Sequence, residues 1–250
     1  MHLLTEQEHL YRERLASATW IGFDLDDTLH EFRHASACAC KTVFLAISER
    51  YGIPTTLLQE QYAVILREKT SHAFCDGRSS HDYRQERFVS LLDSFGVAID
   101  PAFVQELLRL YESSLEASLK LKDGAISLLQ KIVSLGKKIV VITEGPQDSQ
   151  EWTIERLGIA TYIDYLATTN QFKATKTTGL FSQVLEHLRV MPNDIVYIGD
   201  NMERDIAPAA KENILCIYLT NMHSGWTGDG IFRISELPEI ELLLHDQTAG

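Results

Sequence analysis

Three short apolar runs set the limits on how this chain can fold. Residues 20–25 (Trp-Ile-Gly-Phe-Asp-Leu), 138–143 (Lys-Ile-Val-Val-Ile-Thr) and 194–199 (Asp-Ile-Val-Tyr-Ile-Gly) are nearly unbroken in Ile, Val and aromatic side chains. A strand with one wet face alternates apolar and polar residues, whereas an unbroken run reads as a strand covered on both faces. Weaker runs at 165–168 and 214–219 extend the series, and helical patterns at 124–135, 149–157, 180–188 and 206–212 fall between them. Strands alternating with helices imply an α/β fold, a parallel sheet with helices on both faces.

The alternation is interrupted once. From about Arg33 to Leu119 the chain reads as helix throughout, at 35–51, 55–70, 81–95 and 101–119. Gly52, Gly77 and Gly96 break these helices, and Pro54 and Pro101 suit their first turns. A helical block is therefore inserted directly after the first strand. The expected division is an α/β core of residues 1–32 and 119–250 and a helical domain of residues 33–118. A helix at 6–16 is expected to lead into the first strand. Asp123 should cap the helix that follows the insert, Gly136 and Gly158 should end helices, and a short helix after Glu236 should close the chain.

Bulk properties narrow the partners. The net charge of −12 is spread along 250 residues with acids and bases interspersed. That balance argues against nucleic acid or an anionic membrane as the main partner, while leaving room for a small anionic substrate in a locally positive site. The first 17 residues carry Glu6, Glu8, Arg12, Glu13 and Arg14 and lack the apolar stretch of a secretory signal. No apolar run reaches the length of a membrane span. Cys38, Cys40, Cys75 and Cys216 include no Cys-x-x-Cys pair and read as reduced thiols in a cytoplasmic protein, a monomer or homodimer.

In open parallel sheets, ligands bind beyond the carboxyl ends of the strands. The sequence places Asp24, Asp26, Asp27 and Thr28 after the first strand, and Thr143 and Glu144 after the second. Lys173 and Lys176 follow the third, and Asp200 and Asp205 the fourth. Clustered carboxylates disfavour one another's ionisation, a cost that a dication removes. Oxygen donors with no histidine or cysteine converging on them suit Mg²⁺ better than zinc, with Asp24 and Asp200 as the expected direct ligands.

These strings carry a resemblance. Phe23-Asp24-Leu25-Asp26-Asp27-Thr28-Leu29 resembles motif I of the haloacid dehalogenase-like hydrolases, and Val141-Ile142-Thr143 resembles motif II. Ile198-Gly199-Asp200-Asn201-Met202-Glu203-Arg204-Asp205 resembles motif IV, with its Gly-Asp-x-x-x-x-Asp spacing intact. The likeness spans core, insert and return to core. It departs at motif III, where the family's common Lys-Pro is missing. Lys176 is the favoured lysine because Leu180-Phe181 downstream resembles the start of the following helix; Lys173 is the alternative.

The resemblance implies a Rossmann-like core, a C1-type helical cap domain inserted after the first strand, and phosphatase chemistry. By that likeness Asp24 attacks phosphorus to form an aspartyl-phosphate, and Asp26 serves as general acid and base. Mg²⁺ is implied on Asp24, Asp200 and the main-chain carbonyl of Asp26. The phosphoryl oxygens are expected to meet Thr143, Lys176 and backbone N–H groups of Asp26 and Glu144. Asp205 should orient the lysine or the waters of the metal, and Thr28 should brace the turn. Halide-releasing relatives lack an acid at the place of Asp26 and need no magnesium.

The cap implied by the resemblance would close over a small phosphorylated molecule. Candidates for recognising its far end are the loop from Phe74 to Arg78, together with His81, Arg84 and Arg87. The stretch Thr143-Glu144-Gly145-Pro146, with Gln150 and Leu157-Gly158-Ile159, resembles nucleotidase-leaning members. A nucleoside monophosphate, a sugar phosphate or phosphoglycolate is the expected substrate. A sugar phosphomutase on the same scaffold and an idle relative that only binds a ligand are the alternatives; the intact set of acids, hydroxyl and lysine favours an enzyme.

Overall fold

The computed structural model describes residues 6–70, 74–221, 225–226 and 231–245. Helix α1 (Glu6–Ser17) leads into β1 (Trp20–Phe23). The chain then leaves the sheet for α2 (Phe32–Tyr51), α3 (Thr55–Thr70), α4 (Ser80–Ser94) and α5 (Pro101–Ser118). It returns through α6 (Ala125–Ser134), β2 (Lys138–Thr143), α7 (Gln147–Arg156), β3 (Tyr165–Thr168), α8 (Thr169–Phe172) and α9 (Leu180–Leu188). The remainder is β4 (Ile195–Gly199), α10 (Ala207–Lys211), β5 (Leu215–Leu219), β6 (Gly225–Trp226), β7 (Phe232–Ile234) and α11 (Pro238–His245).

The strands form one sheet in the order β3-β2-β1-β4-β5-β7-β6. All neighbours pair in parallel except β6, which runs antiparallel to β7. Side-chain alternation divides the core in two. Ile21, Phe23, Ile139, Val141, Val196 and Ile198 point to the face covered by α1, α6 and α11. Val140, Ile142, Ile195 and Tyr197 point to the face covered by α9 and α10. This two-sided burial is why the strands read as unbroken apolar runs.

The inserted helices build a separate core. In α5, Phe103, Val104, Leu107, Leu108, Tyr111 and Leu115 recur at helical spacing and are buried. They meet Ala35, Ala39, Val43 and Ile47 of α2, whose two alanines leave room for close packing. Phe88 of α4 lies at the centre, its ring 6.1 Å from Tyr62 and 5.9 Å from Tyr111. A capping box between Ser79 and Asp82 starts α4, and the Asp100 carboxylate caps α5 ahead of Pro101.

The insert is tied to the sheet at both ends of its helices. Its entry and exit linkers pair, with Glu31 N donating to Lys120 O and Lys122 N to Leu29 O, both at 2.9 Å. Elsewhere, Ser80 donates its backbone N–H and its hydroxyl to the Asp148 carboxylate at 3.0 and 2.8 Å. Asn170 donates to Arg78 O at 3.3 Å, and Trp152 of α7 packs on the insert's core.

Three details depart from expectation. Asp123 does not cap α6: Gly124 occupies that position at φ 78°, without a side-chain cap, and a Cβ there would meet Pro238 at 2.6 Å. The segment 206–212 is a helix only from Ala207, because Met202–Ile206 forms a single π-helical turn. The β6–β7 pair was too short to leave a pattern. No helix among the described residues is long and apolar enough to cross a membrane.

The central, fully buried Phe88 gives a direct test of the insert's core. Phe88→Ala is expected to lower the unfolding free energy by about 3–5 kcal/mol, read from urea denaturation. A change below about 1 kcal/mol would show that the insert's core is not closely packed there.

Candidate active site

Chain order makes the crevice. From β1 the chain proceeds to β2 and β3 on one side, then crosses back to β4 on the other. The sheet's direction of progress therefore reverses beside β1, and the loops after β1 and β4 diverge to leave an opening at their carboxyl ends. Phe23 pairs with both Val141 and Ile198, so the segments after the three strands emerge at one level.

The turn after β1 alternates its side chains. Asp24 continues the ladder, its N–H donating to Ile198 O at 2.9 Å, and the residue is only 6% exposed. Leu25 is buried in the core, and Asp26 emerges again on the site's side. Asp27 takes φ 61°, a left-handed conformation that aspartate tolerates better than most residues. Its carboxylate accepts from Arg33 N at 3.1 Å, a free N–H of the first turn of α2, whose own cap residue Glu31 supplies no side-chain bond. Thr28, wholly buried, donates to Asp24 Oδ2 at 3.4 Å. Thr28 thus braces the turn by holding Asp24 itself.

At the centre, the buried Lys176 ammonium donates to Asp24 Oδ1 and, at 2.5 Å, to Asp205 Oδ1. Burial alone would drive the proton off this lysine; Asp205 and Asp24 outweigh it and hold the ammonium above the ordinary lysine range. Asp205 is fixed from other directions too, with Tyr197 Oη at 3.1 Å and Asn201 N donating to its Oδ2 at 3.0 Å. Lys173, at the end of α8, is exposed and takes no part in this cluster.

Asp24, Asp200 and Asp205 bring carboxylate oxygens within 4.8 Å of one another. Burial raises Asp24 well above the usual carboxylate range, Lys176 opposes that rise, and Asp205 and Asp26 add to it. Burial, followed by the Asp205 charge, likewise raises Asp200. A buried and a half-buried acid pushed towards protonation beside a single ammonium mark a place deficient in positive charge. Hard oxygen donors short of positive charge fit a small dication. Asp205 is already committed to Lys176, Tyr197 and Asn201, which leaves Asp24 and Asp200 as the carboxylates able to hold it. Arg33 supplies part of the missing charge, its guanidinium 3.1 Å from Asp27 Oδ2 and from Asp200 Oδ2.

The remaining residues fall where their strands lead them, with differences. The Thr143 hydroxyl is buried and donates to Gln150 Oε1 at 3.2 Å. Glu144 contributes more than its backbone: its carboxylate accepts from Lys176 N and from Arg204 Nε, both at 2.8 Å, linking the loops after β2, β3 and β4. Asp26 stands outside the carboxylate cluster, because its Oδ1 meets His30 Nε2 at 2.9 Å. The histidine thus meets an acid outside the cluster, and among the described residues the cluster itself holds carboxylates alone. Sequence reasoning missed His30, Tyr197, Arg33 and Arg204. Tyr197 was findable, since Ile195, Tyr197 and Gly199 alternate onto one face of β4.

Comparison with known proteins bears on the family and the fold. Residues 21–219 match the family model described as haloacid dehalogenase-like hydrolase. A glyceraldehyde 3-phosphate phosphatase from Methanopyrus kandleri is 26% identical over 78% of this chain and 81% of its own. A pyrimidine 5'-nucleotidase from Escherichia coli is 26% identical over 90% and 97%. A magnesium-bound haloacid dehalogenase-like hydrolase from Bacillus subtilis superposes with a TM-score of 0.68 at 22% identity, covering 91% of this chain and 98% of its own. The chain belongs to the haloacid dehalogenase-like hydrolases. Within them it is a phosphatase-like member.

Gly199 tests how tightly Asp205 is held. A Cβ at this position would lie 2.5 Å from Asp205 Cβ, closer than real atoms approach. Gly199→Ala is expected to force Asp205 away from Lys176 and to destabilise the fold by about 1–3 kcal/mol in urea denaturation. An unchanged midpoint would mean that Asp205 has room to move.

Proposed function

We propose that the chain is a Mg²⁺-dependent phosphatase that hydrolyses a small phosphorylated metabolite through an aspartyl-phosphate on Asp24. The observation that carries this reading is the Lys176 ammonium shared between Asp24 and Asp205, with Asp200 in the same cluster. A carboxylate held at one oxygen by an ammonium and at the other by Thr28 is an oriented nucleophile rather than a surface acid.

In this reading Asp24 attacks phosphorus in line with the leaving alcohol, splitting one difficult displacement into two easier ones. Lys176 neutralises charge on the phosphoryl oxygens and is itself aimed by Asp205. Thr143, released from Gln150, donates its hydroxyl to another phosphoryl oxygen, and the backbone N–H groups of Asp26 and Glu144 complete the cradle. Asp26 protonates the leaving alcohol and then takes a proton from the water that cleaves the acyl phosphate. Asp24, Asp200 and the main-chain carbonyl of Asp26 would hold Mg²⁺, which when bound supplies charge neutralisation at the phosphate.

The substrate reading rests on relatives that act on glyceraldehyde 3-phosphate and on pyrimidine nucleotides. A panel of triose phosphates, sugar phosphates and nucleoside monophosphates is therefore the first to try. Residues 33–118 form the cap that closes over such a molecule, on a core of 1–32 and 119–250. The four described cysteines are free thiols, which supports a cytoplasmic setting.

Release of p-nitrophenol from its phosphate, with and without Mg²⁺, is the primary test. Asp24→Asn is expected to reduce kcat by a factor on the order of 10⁴ or more. For Lys176→Ala the expected loss is about 10²–10³-fold, as for removal of one charge-stabilising donor, whereas Lys173→Ala should stay within twofold of wild type. The reverse ranking of the two lysines would overturn the assignment.

Metal binding has a separate readout. Mg²⁺ at 100 times its Kd is expected to add about 2.7 kcal/mol of stability, seen as a rise in Tm. Asp200→Asn should abolish most of that rise while preserving the metal-free melting curve. Equal Mg²⁺ stabilisation of both proteins would show that Asp200 is not a ligand.

A further inference from the structure

One buried titratable group has no part in the chemistry above. His30 is wholly buried, and its Nε2 lies 2.9 Å from Asp26 Oδ1. Among the described residues, no other hydrogen bond reaches the Asp26 carboxylate, so Oδ2 is left without a partner. The backbone around His30 is fixed on two sides, by bridges to Asp26 and to Leu121 of the returning linker. The ring lies edge-on to Phe32 at 6.0 Å. The backbone of His30 is thus held where sheet and insert cross, and its ring is enclosed there.

The chemistry of the pair fixes the direction of the bond. Where Oδ2 carries the exchanging proton, Oδ1 is an acceptor in either state of the carboxyl, and an Nε2–H is the donor that matches it. The other nitrogen, Nδ1, is buried without a hydrogen-bond partner. Placing the hydrogen on Nδ1 would strand a donor there and set the Nε2 lone pair against the carboxylate, two penalties at once. The tautomer protonated on Nε2 is thus selected by burial, as in other sites where one ring nitrogen's surroundings decide the state of the other.

We propose that His30 is the positioning residue of Asp26. Its Nε2–H holds Oδ1 in place, so that Oδ2 is the oxygen that faces the substrate and gives and takes the proton. The inference rests on the phosphatase reading of Asp26, which it deepens by assigning separate tasks to the two carboxylate oxygens. A carboxylate free to rotate would present either oxygen, or neither, to the leaving group. A buried histidine that merely filled space would have no effect through Asp26, and the two roles separate experimentally.

The contact is read without turnover by ¹⁵N NMR of the histidine ring. Nε2 should be protonated and Nδ1 bare, and Asp26→Ala should shift the Nε2 resonance. A protonated Nδ1, or a ring indifferent to Asp26→Ala, overturns the proposal whatever the activity. In steady-state assays, His30→Leu is expected to lower kcat about tenfold with KM within twofold. His30→Gln, whose amide nitrogen can occupy the place of Nε2, should recover most of the loss. In an Asp26→Asn background the same His30→Leu change should alter kcat by less than twofold, because the two residues act as one unit. Equal losses in both backgrounds overturn the proposal. Should His30→Leu fail to fold, His30→Gln and His30→Phe replace it, and equal kcat for donor and non-donor has the same force. Absence of wild-type turnover on every phosphate tested would bring down the phosphatase reading together with this one, whereas turnover indifferent to His30 removes this one alone.

Discussion

The ammonium of Lys176 is the constraint around which the rest is arranged. Three carboxylates gathered at the mouth of a parallel sheet would repel one another and drift towards protonation. A single buried cation between Asp24 and Asp205 removes part of that repulsion and fixes the orientation of both. Breaking such a pair by removing one partner leaves an uncompensated buried charge, which costs far more than the intact pair contributes. Tyr197 and Asn201, in and just after β4, hold Asp205, while Thr28 after β1 holds Asp24. The result is a preorganised group of charges on rigid strands, the arrangement that favours stabilising a developing negative charge over binding a neutral molecule.

Sheet topology makes this possible at low cost. Because β1 lies between β2 and β4, its terminal residue is flanked on both sides by strands in register with it. Asp24 therefore has a hydroxyl-bearing loop on one flank and an acid-bearing loop on the other without any long connection. The Glu144 carboxylate ties these loops further by accepting from Lys176 N and Arg204 Nε. The inserted helices have a core of their own, separate from the two that cover the sheet.

Much of this was legible in the residues and some of it was not, for physical reasons. The strands were readable because burial on both faces leaves an unbroken apolar run. The helices of the insert were readable because each has a regular stripe and a glycine or proline at its ends. Asp24 and Asp200 were readable because a strand end dictates where the next side chain goes. The choice between Lys173 and Lys176 was harder, since it depends on a left-handed turn at Lys173 that directs one lysine outward and the next one in. His30 and Arg33 could not be found this way. Their contacts arise because an irregular turn brings the start of α2 back over the strand ends, and no periodic pattern encodes such a turn. Asp123 is not the cap because the helix starts one residue later, at a left-handed Gly124 that lies too close to Pro238, more than 100 residues on, for a side chain.

The pairing of the two linkers has a mechanical consequence. Entry and exit cross the boundary side by side, joined by Glu31–Lys120 and Leu29–Lys122 hydrogen bonds, so the helical block is suspended from a single narrow stalk. The Ser80–Asp148 and Arg78–Asn170 contacts then behave as a clasp on the free edge. These contacts and the paired linkers hold the block at two separate places, and neither place is one of the acids at the strand ends.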